Sequence, residues 1–167
     1  LLEWSRLQTG NISLEKSEFS LCGLLNHVVS IYADSLEAKR LKLIKETGCE
    51  INVSADQNMI EAAIRNLILN AIKYTHIGGT ITVGCKTNDD KAEVFVKDTG
   101  VGILADDLER LFIIERQFTT EGTNNEKGTG FGLLLCNELV KKNNGTIKVK
   151  SEKDKGSTFT ISLPYKK

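Results

Sequence analysis

The chain has 167 residues, 40% of them apolar, with 22 basic side chains balanced by 22 acidic ones, which predicts one domain with a substantial core and no net charge. That balance gives no support to a nucleic-acid or anionic-membrane partner, so any bound anion has to be held by local devices: helix N-termini, a few lysines or a metal. No apolar run approaches a membrane span and no stretch reads as a signal peptide, while four scattered cysteines and two distant histidines speak for reduced thiols in a cytosolic domain and against a zinc site.

In chain order, Leu1, Leu2, Trp4 and Leu7 are spaced as on a helix that Gly10-Asn11 stops, which reads as the tail of a longer helix. A short strand is expected at Ser17 to Leu21, then a helix from Leu21 to about Arg40 in which Leu24, Leu25, Val28, Val29, Ile31, Tyr32 and Leu36 recur at helical spacing. Leu41 to Thr47 and Ile51 to Ser54 read as strands. Asp56 is the expected N-cap of a helix from Gln57 to Tyr74, with Ile60, Ala63, Ile64, Leu67, Ile68, Ala71 and Ile72 buried. Asn66, Asn70 and Lys73 fall on one stripe of that helix, a polar wall without the Glu and Lys that usually cover a solvated face.

Thr80 to Lys86 and Ala92 to Lys97 alternate as two strands of a hairpin turned at Asn88-Asp89-Asp90. The second strand ends on a carboxylate, Asp98, followed by Gly100 and Gly102, where a ligand can approach the backbone without a Cβ in the way. A short helical piece is expected at Leu108 to Phe112, within a polar, mobile surface segment at 104–127; loops of that length inside a domain are usually functional. Gly128-Thr129-Gly130-Phe131-Gly132-Leu133 then opens a helix, presenting backbone donors and the positive dipole end to an anion. The cluster is neither a dinucleotide fingerprint, since Leu133 stands where the last glycine belongs, nor a P-loop. Lys141 and Lys142 suit the helix C-terminus, Asn144-Gly145 caps it, and Thr146 to Ser151 with Thr158 to Leu163 make a final hairpin. Strands arriving mostly in hairpins and three one-sided helices predict an α+β, two-layer sandwich: a mixed, mainly antiparallel sheet with the helices on one face.

The order Asn66-x-x-x-Asn70-x-x-Lys73, Asp98-x-Gly100-x-Gly102, Gly128-x-Gly130-x-Gly132 and Gly156-Ser157-Thr158 resembles the catalytic, ATP-binding domain of sensor histidine kinases, within the ATPase group that also holds gyrase, heat-shock chaperones and mismatch-repair proteins. The four stretches resemble that family's N box, its two glycine boxes and its last glycine element, and the resemblance covers about residues 15–165. It implies a Bergerat-type fold at 13–167, an ATP lid at about 104–127, and ATP with Mg2+ as cofactors. It implies that Asp98 accepts from the adenine amine and Gly102 lets the base approach. Asn66, Asn70 and Lys73 are the implied catalytic residues: Asn70 helps hold Mg2+, Asn66 and Lys73 contact the phosphates, and Tyr74 flanks the nucleotide. Gly128, Gly130 and Gly132 bring backbone donors to the phosphates, and Gly100, Ile103, Phe112, Thr129, Phe131, Leu133 and Thr158 complete the ATP-binding set. Phe112 resembles the first aromatic of the family's F box, but Glu115 stands where a second is usual and Phe118 comes later, which leaves no implied part for Arg116.

Residues 1–12 resemble the end of the second dimerisation helix. The implied partners are an upstream dimerisation domain carrying the phosphoacceptor histidine, a response-regulator receiver domain, and a second copy in the full-length dimer, with no nucleic acid and no membrane contact. His27 is followed by Val28 and lacks the acidic residue and nearby proline of the family's acceptor, so it reads as an ordinary helix residue. Two other readings are an ATP-hydrolysing clamp like the gyrase and chaperone relatives, and a non-catalytic nucleotide-sensing module. The clamp relatives carry a water-activating Glu where this chain has Asn66, and an amide is no general base.

Overall fold

The computed structural model describes residues 12–48, 50–113, 122–124 and 130–166. The expected helix at 1–10, and Cys49, Glu115, Arg116, Phe118, Gly128 and Thr129, lie outside the described residues.

Among the described residues, seven strands and five helices follow in the order β1 (Lys16–Ser20), α1 (Leu21–Ile31), α2 (Ala33–Ala38), β2 (Lys42–Glu46), β3 (Asn52–Asp56), α3 (Gln57–Tyr74), β4 (Thr80–Asn88), β5 (Lys91–Asp98), α4 (Ala105–Leu108), α5 (Gly132–Lys142), β6 (Thr146–Glu152) and β7 (Gly156–Pro164). Five strands form one sheet in the order β2-β4-β5-β7-β6, parallel only at β2–β4. The predicted mixed, mainly antiparallel sheet is therefore present. Along its strands the side chains alternate: Ile81, Val83 and Cys85, Ala92, Val94 and Val96, and Phe159, Ile161 and Leu163 all join the buried core. The long helices α1, α3 and α5 add Leu25, Val28, Ile60, Ile64, Leu67, Ile68, Cys136 and Val140 to that same core, which gives two layers with one sheet face covered.

Three details differ from the sequence reading. β1 and β3 leave the main sheet and pair with each other, Lys16 opposite Asp56 through Ser20 opposite Asn52. The helix expected from Leu21 to Arg40 breaks at Tyr32, and no side chain caps the second piece, so the sequence carries no stop signal there. The short helix after the first glycine turn lies at Ala105–Leu108, ahead of the predicted Leu108 to Phe112, which is a turn that packs Leu111 and Phe112 against the core.

Both ends of α3 are anchored by distant parts of the chain. At its start Asp56 accepts from the Met59 amide at 3.1 Å and from the Glu15 amide at 2.9 Å, while its own amide donates to Asn143 Oδ1 at 2.7 Å. One carboxylate thus caps the helix and ties it to the N-terminal strand, and Asn143 ties it to the end of α5. Its other end borders the site. Among the described residues no helix is long and apolar enough to cross a membrane.

Candidate functional site

The site lies where the C-terminal end of α3, the end of β5, the start of α5 and the β6–β7 turn converge. Asp98, the last residue of β5, is 6% exposed. Its Oδ1 accepts from the Gly100 amide at 2.8 Å and from the Ser157 amide at 3.3 Å. Among the described residues Oδ2 has no protein partner, yet no buried polar side-chain atom is left without one, so Oδ2 reaches solvent-accessible space. Burial pushes the Asp98 carboxyl above its ordinary range, and the two amide bonds pull it part of the way back.

The glycines behave as close-approach positions. A Cβ on Gly100 would collide with the Tyr74 carbonyl, and one on Gly156, at φ +113°, would collide with the Asp98 carbonyl. The first contact docks the end of α3 on the Asp98 turn, and the second docks the β6–β7 turn behind it. Val101 completes the first junction by donating its amide to the Tyr74 carbonyl at 3.1 Å. Gly102 abuts the backbone of Glu152. Ile103 donates its amide at 2.8 Å to Ser151 Oγ, which is 2.7 Å from Ser157 Oγ.

Asn66, Asn70 and Lys73, the stripe that the sequence predicts, are half-buried, and so is the adjoining Tyr74. Lys73 Nζ stands 4.8 Å from the centre of the Tyr74 ring. Gly132 opens α5 against Asn66: a Cβ there would lie 3.2 Å from Asn66 Oδ1. The asparagine stripe and the second glycine cluster, remote in sequence, are therefore adjacent. Gly130 has φ +73°, Phe131 is the N-cap residue of α5, and Leu133 and Ile103 pack against the core.

One expected residue faces away from Asp98. Thr158 follows Ser157 on β7, and since Phe159, Ile161 and Leu163 point into the core, Thr158 lies on the opposite face beside Lys97 and Lys150. Ser157, not Thr158, is the residue of that motif buried against Asp98. The period of two in a strand decides this, and the motif alone does not reveal it. Thr123 carries no sequence signal of its part either: its amide and hydroxyl donate to the Lys73 carbonyl at 3.1 and 3.2 Å, and the hydroxyl to the Thr75 carbonyl at 3.0 Å. Residues 122–124 of the expected mobile segment are therefore seated on α3.

His27 and His76 are exposed and stand on α1 and in the loop after α3. Cys22, Cys85 and Cys136 are buried cysteines outside any disulfide, the thiols of Cys85 and Cys136 pushed up chiefly by burial, and none joins a metal-binding cluster among the described residues. A cavity of 630 Å³ between α1, α2 and β2, lined by Val29, Leu36, Leu41 and Leu43 among others, holds none of the predicted site residues.

The chain is 34% identical over 166 residues to the sensor histidine kinase RcsC of Salmonella typhimurium, a match covering 98% of this chain and 17% of that protein. It is 36% identical to the adaptive-response sensory kinase SasA of Crocosphaera subtropica, over 98% of this chain and 43% of the relative. The chain thus spans less than half of either. Among solved structures, the catalytic domain of histidine kinase ThkA superimposes with a TM-score of 0.78 at 28% identity, covering 90% of this chain and 95% of the other. The family profile described as histidine kinase-, DNA gyrase B-, and HSP90-like ATPase matches residues 55–167. Because that stretch is more than half of the chain and takes in all four motifs, the chain belongs to the histidine kinase-, DNA gyrase B- and HSP90-like ATPase family.

Proposed function

We propose that this chain is the ATP-binding catalytic domain of a two-component sensor histidine kinase, and that it presents the γ-phosphoryl group to a histidine on a dimerisation domain. The observation that carries the reading is Asp98. One of its oxygens is fixed by two backbone amides and the other is left as an acceptor at a glycine-lined turn. An acceptor held in that way selects a purine that offers an amine, adenine, over one that offers a carbonyl oxygen, guanine.

The remaining residues divide along α3. Tyr74 flanks the base. Lys73 and Asn66 face the phosphates, and the backbone amides that begin α5 beside Gly132 add donors at the positive end of a helix dipole. Asn70 fits a Mg2+ ligand: its amide oxygen is a hard donor with no protein hydrogen bond among the described residues, and no cluster of three His, Cys, Asp or Glu side chains competes with it there. Asn70 would hold the Mg2+, which would supply neutralisation of phosphate charge. Phosphoryl transfer asks the protein mainly to position groups and stabilise charge, while the substrate supplies the nucleophile. A site of amides, a lysine and backbone donors suits that work. Asn66 offers no base to activate water, which favours transfer over hydrolysis.

The partners this reading implies are an upstream dimerisation domain, a response-regulator receiver domain and a second copy of the full-length protein. Calorimetric titration of residues 1–167 with ATP and GTP, each with and without Mg2+, tests the reading. ATP binds, Mg2+ strengthens it in the wild-type chain more than in Asn70→Ala, and GTP binds at least about tenfold more weakly. Equal affinity for the two nucleotides contradicts the assignment of Asp98.

A further inference from the structure

A buried lysine outside the four motifs holds the nucleotide-facing end of α3. Lys39 follows α2 and is 6% exposed. Lysine is seldom buried to that degree unless its ammonium is paired. Here Nζ donates to the carbonyls of Ile72 at 2.7 Å and Lys73 at 3.0 Å. These belong to the last turn of α3, whose carbonyls have no partner within the helix and form the negative end of its dipole.

The chain around Lys39 is itself fixed. Its carbonyl accepts from the Gly78 amide at 3.2 Å, and the next residue, Arg40, turns the backbone at φ +52°. The carbonyls at the end of α3 and of the Thr75 that follows are held from elsewhere in the chain: Tyr74 by Val101, Thr75 by Thr123, and Lys73 by Lys39 and Thr123 together. Thr123 has one hydroxyl proton for two carbonyls, so its amide bond to Lys73 is the fixed member of that set. Lys73 and Tyr74 carry the side chains that face the nucleotide, and their carbonyls are what these donors hold.

We propose that Lys39 is a positioning residue for nucleotide binding, with Thr123 as its counterpart in the segment between the two glycine clusters. Lys39 touches no nucleotide. It fixes the Lys73 carbonyl, and so both the direction of the Lys73 and Tyr74 side chains and the seat on which Thr123 docks. The inference rests on the proposal that this site binds ATP.

The test uses residues 1–167 and four variants. Lys39→Met keeps the length of the side chain and removes the donor. Thr123→Val keeps the shape and removes the hydroxyl, and Thr123→Ser restores it. Val28→Ala weakens the core away from the site. Affinity for ATP with Mg2+ is measured well below each melting temperature, with hydrogen exchange of the Thr123 amide in the absence of nucleotide. Lys39→Met lowers ATP affinity about tenfold, the scale of a lost charge-assisted hydrogen bond, and speeds Thr123 exchange. Thr123→Val lowers affinity roughly threefold or more, and Thr123→Ser restores it. Val28→Ala lowers the melting temperature and leaves affinity unchanged.

A folded Lys39→Met chain that binds ATP like the wild type overturns the proposal. If Lys39→Met does not fold, wild-type affinity in Thr123→Val overturns it instead. The nucleotide reading fails separately: a wild-type chain that does not bind ATP defeats that reading, while the exchange of Thr123 without nucleotide still reports whether Lys39 sets its seat.

Discussion

At the scale of single residues, Asp98 joins the fold to the proposed function. Its burial disfavours the charged form, so the folded carboxyl keeps its proton to higher pH than the unfolded one at 3.8. Folding therefore takes up a proton between those two values. The stabilising contribution of the protonated form is complete below the unfolded value and is lost as pH rises through the folded one. Denaturant titrations of the nucleotide-free wild type and Asp98→Asn across that range should diverge in this direction. The wild type loses stability relative to the variant as pH rises, and Asp98→Asn is at least as stable near pH 7, because an amide oxygen still accepts from Gly100 and Ser157. A variant that loses stability relative to the wild type as pH rises would remove the carboxylate from the buried position. Asp98 itself was legible in the sequence, as a carboxylate ending an alternating strand before two glycines. Ser157 was not, because motif spacing does not tell which of two adjacent strand residues faces the site, and only the register of Phe159 and Ile161 in the core decides it.

Among the elements, α3 carries most of the account. The sequence states it plainly: an Asp cap, eighteen residues of helical periodicity and a polar stripe are all local features. What holds its two ends is not local. Asn143 at one end, and Lys39, Val101 and Thr123 at the other, come from distant parts of the chain, and no spacing rule connects them to Gln57–Tyr74. The break at Tyr32 was hidden for a related reason, since neither a glycine, a proline nor a capping side chain marks it. Asp56→Ala removes both the helix cap and the anchor of the N-terminal strand. It should destabilise the chain by about 1–2 kcal/mol, read as a lower urea midpoint with an unchanged slope. A change below a few tenths of a kcal/mol would mean that the cap is dispensable.

For the whole molecule, the sheet carries Asp98 and the last glycine turn, the helical layer carries the asparagine stripe and the second glycine cluster, and the site is their common edge. Hairpins and one-sided helices made that two-layer arrangement readable, while the separate β1–β3 pair was not, because the same alternation also serves a strand of the main sheet. The molecule should bind ATP without labelling itself. His27 and His76 lie outside all four motifs, and Asn66 activates no water. Incubation of residues 1–167 with γ-labelled ATP and Mg2+ should give no phosphohistidine until a domain bearing an acceptor histidine is added; stoichiometric label on His27 would show that the acceptor lies in this chain. The most direct measurement is the affinity of folded Asp98→Asn for ATP. Replacing the free acceptor oxygen with a donor opposite the adenine amine mismatches one polar contact, about 1–3 kcal/mol, so binding should weaken roughly tenfold or more. Wild-type affinity in that variant would place the adenine elsewhere and contradict the account.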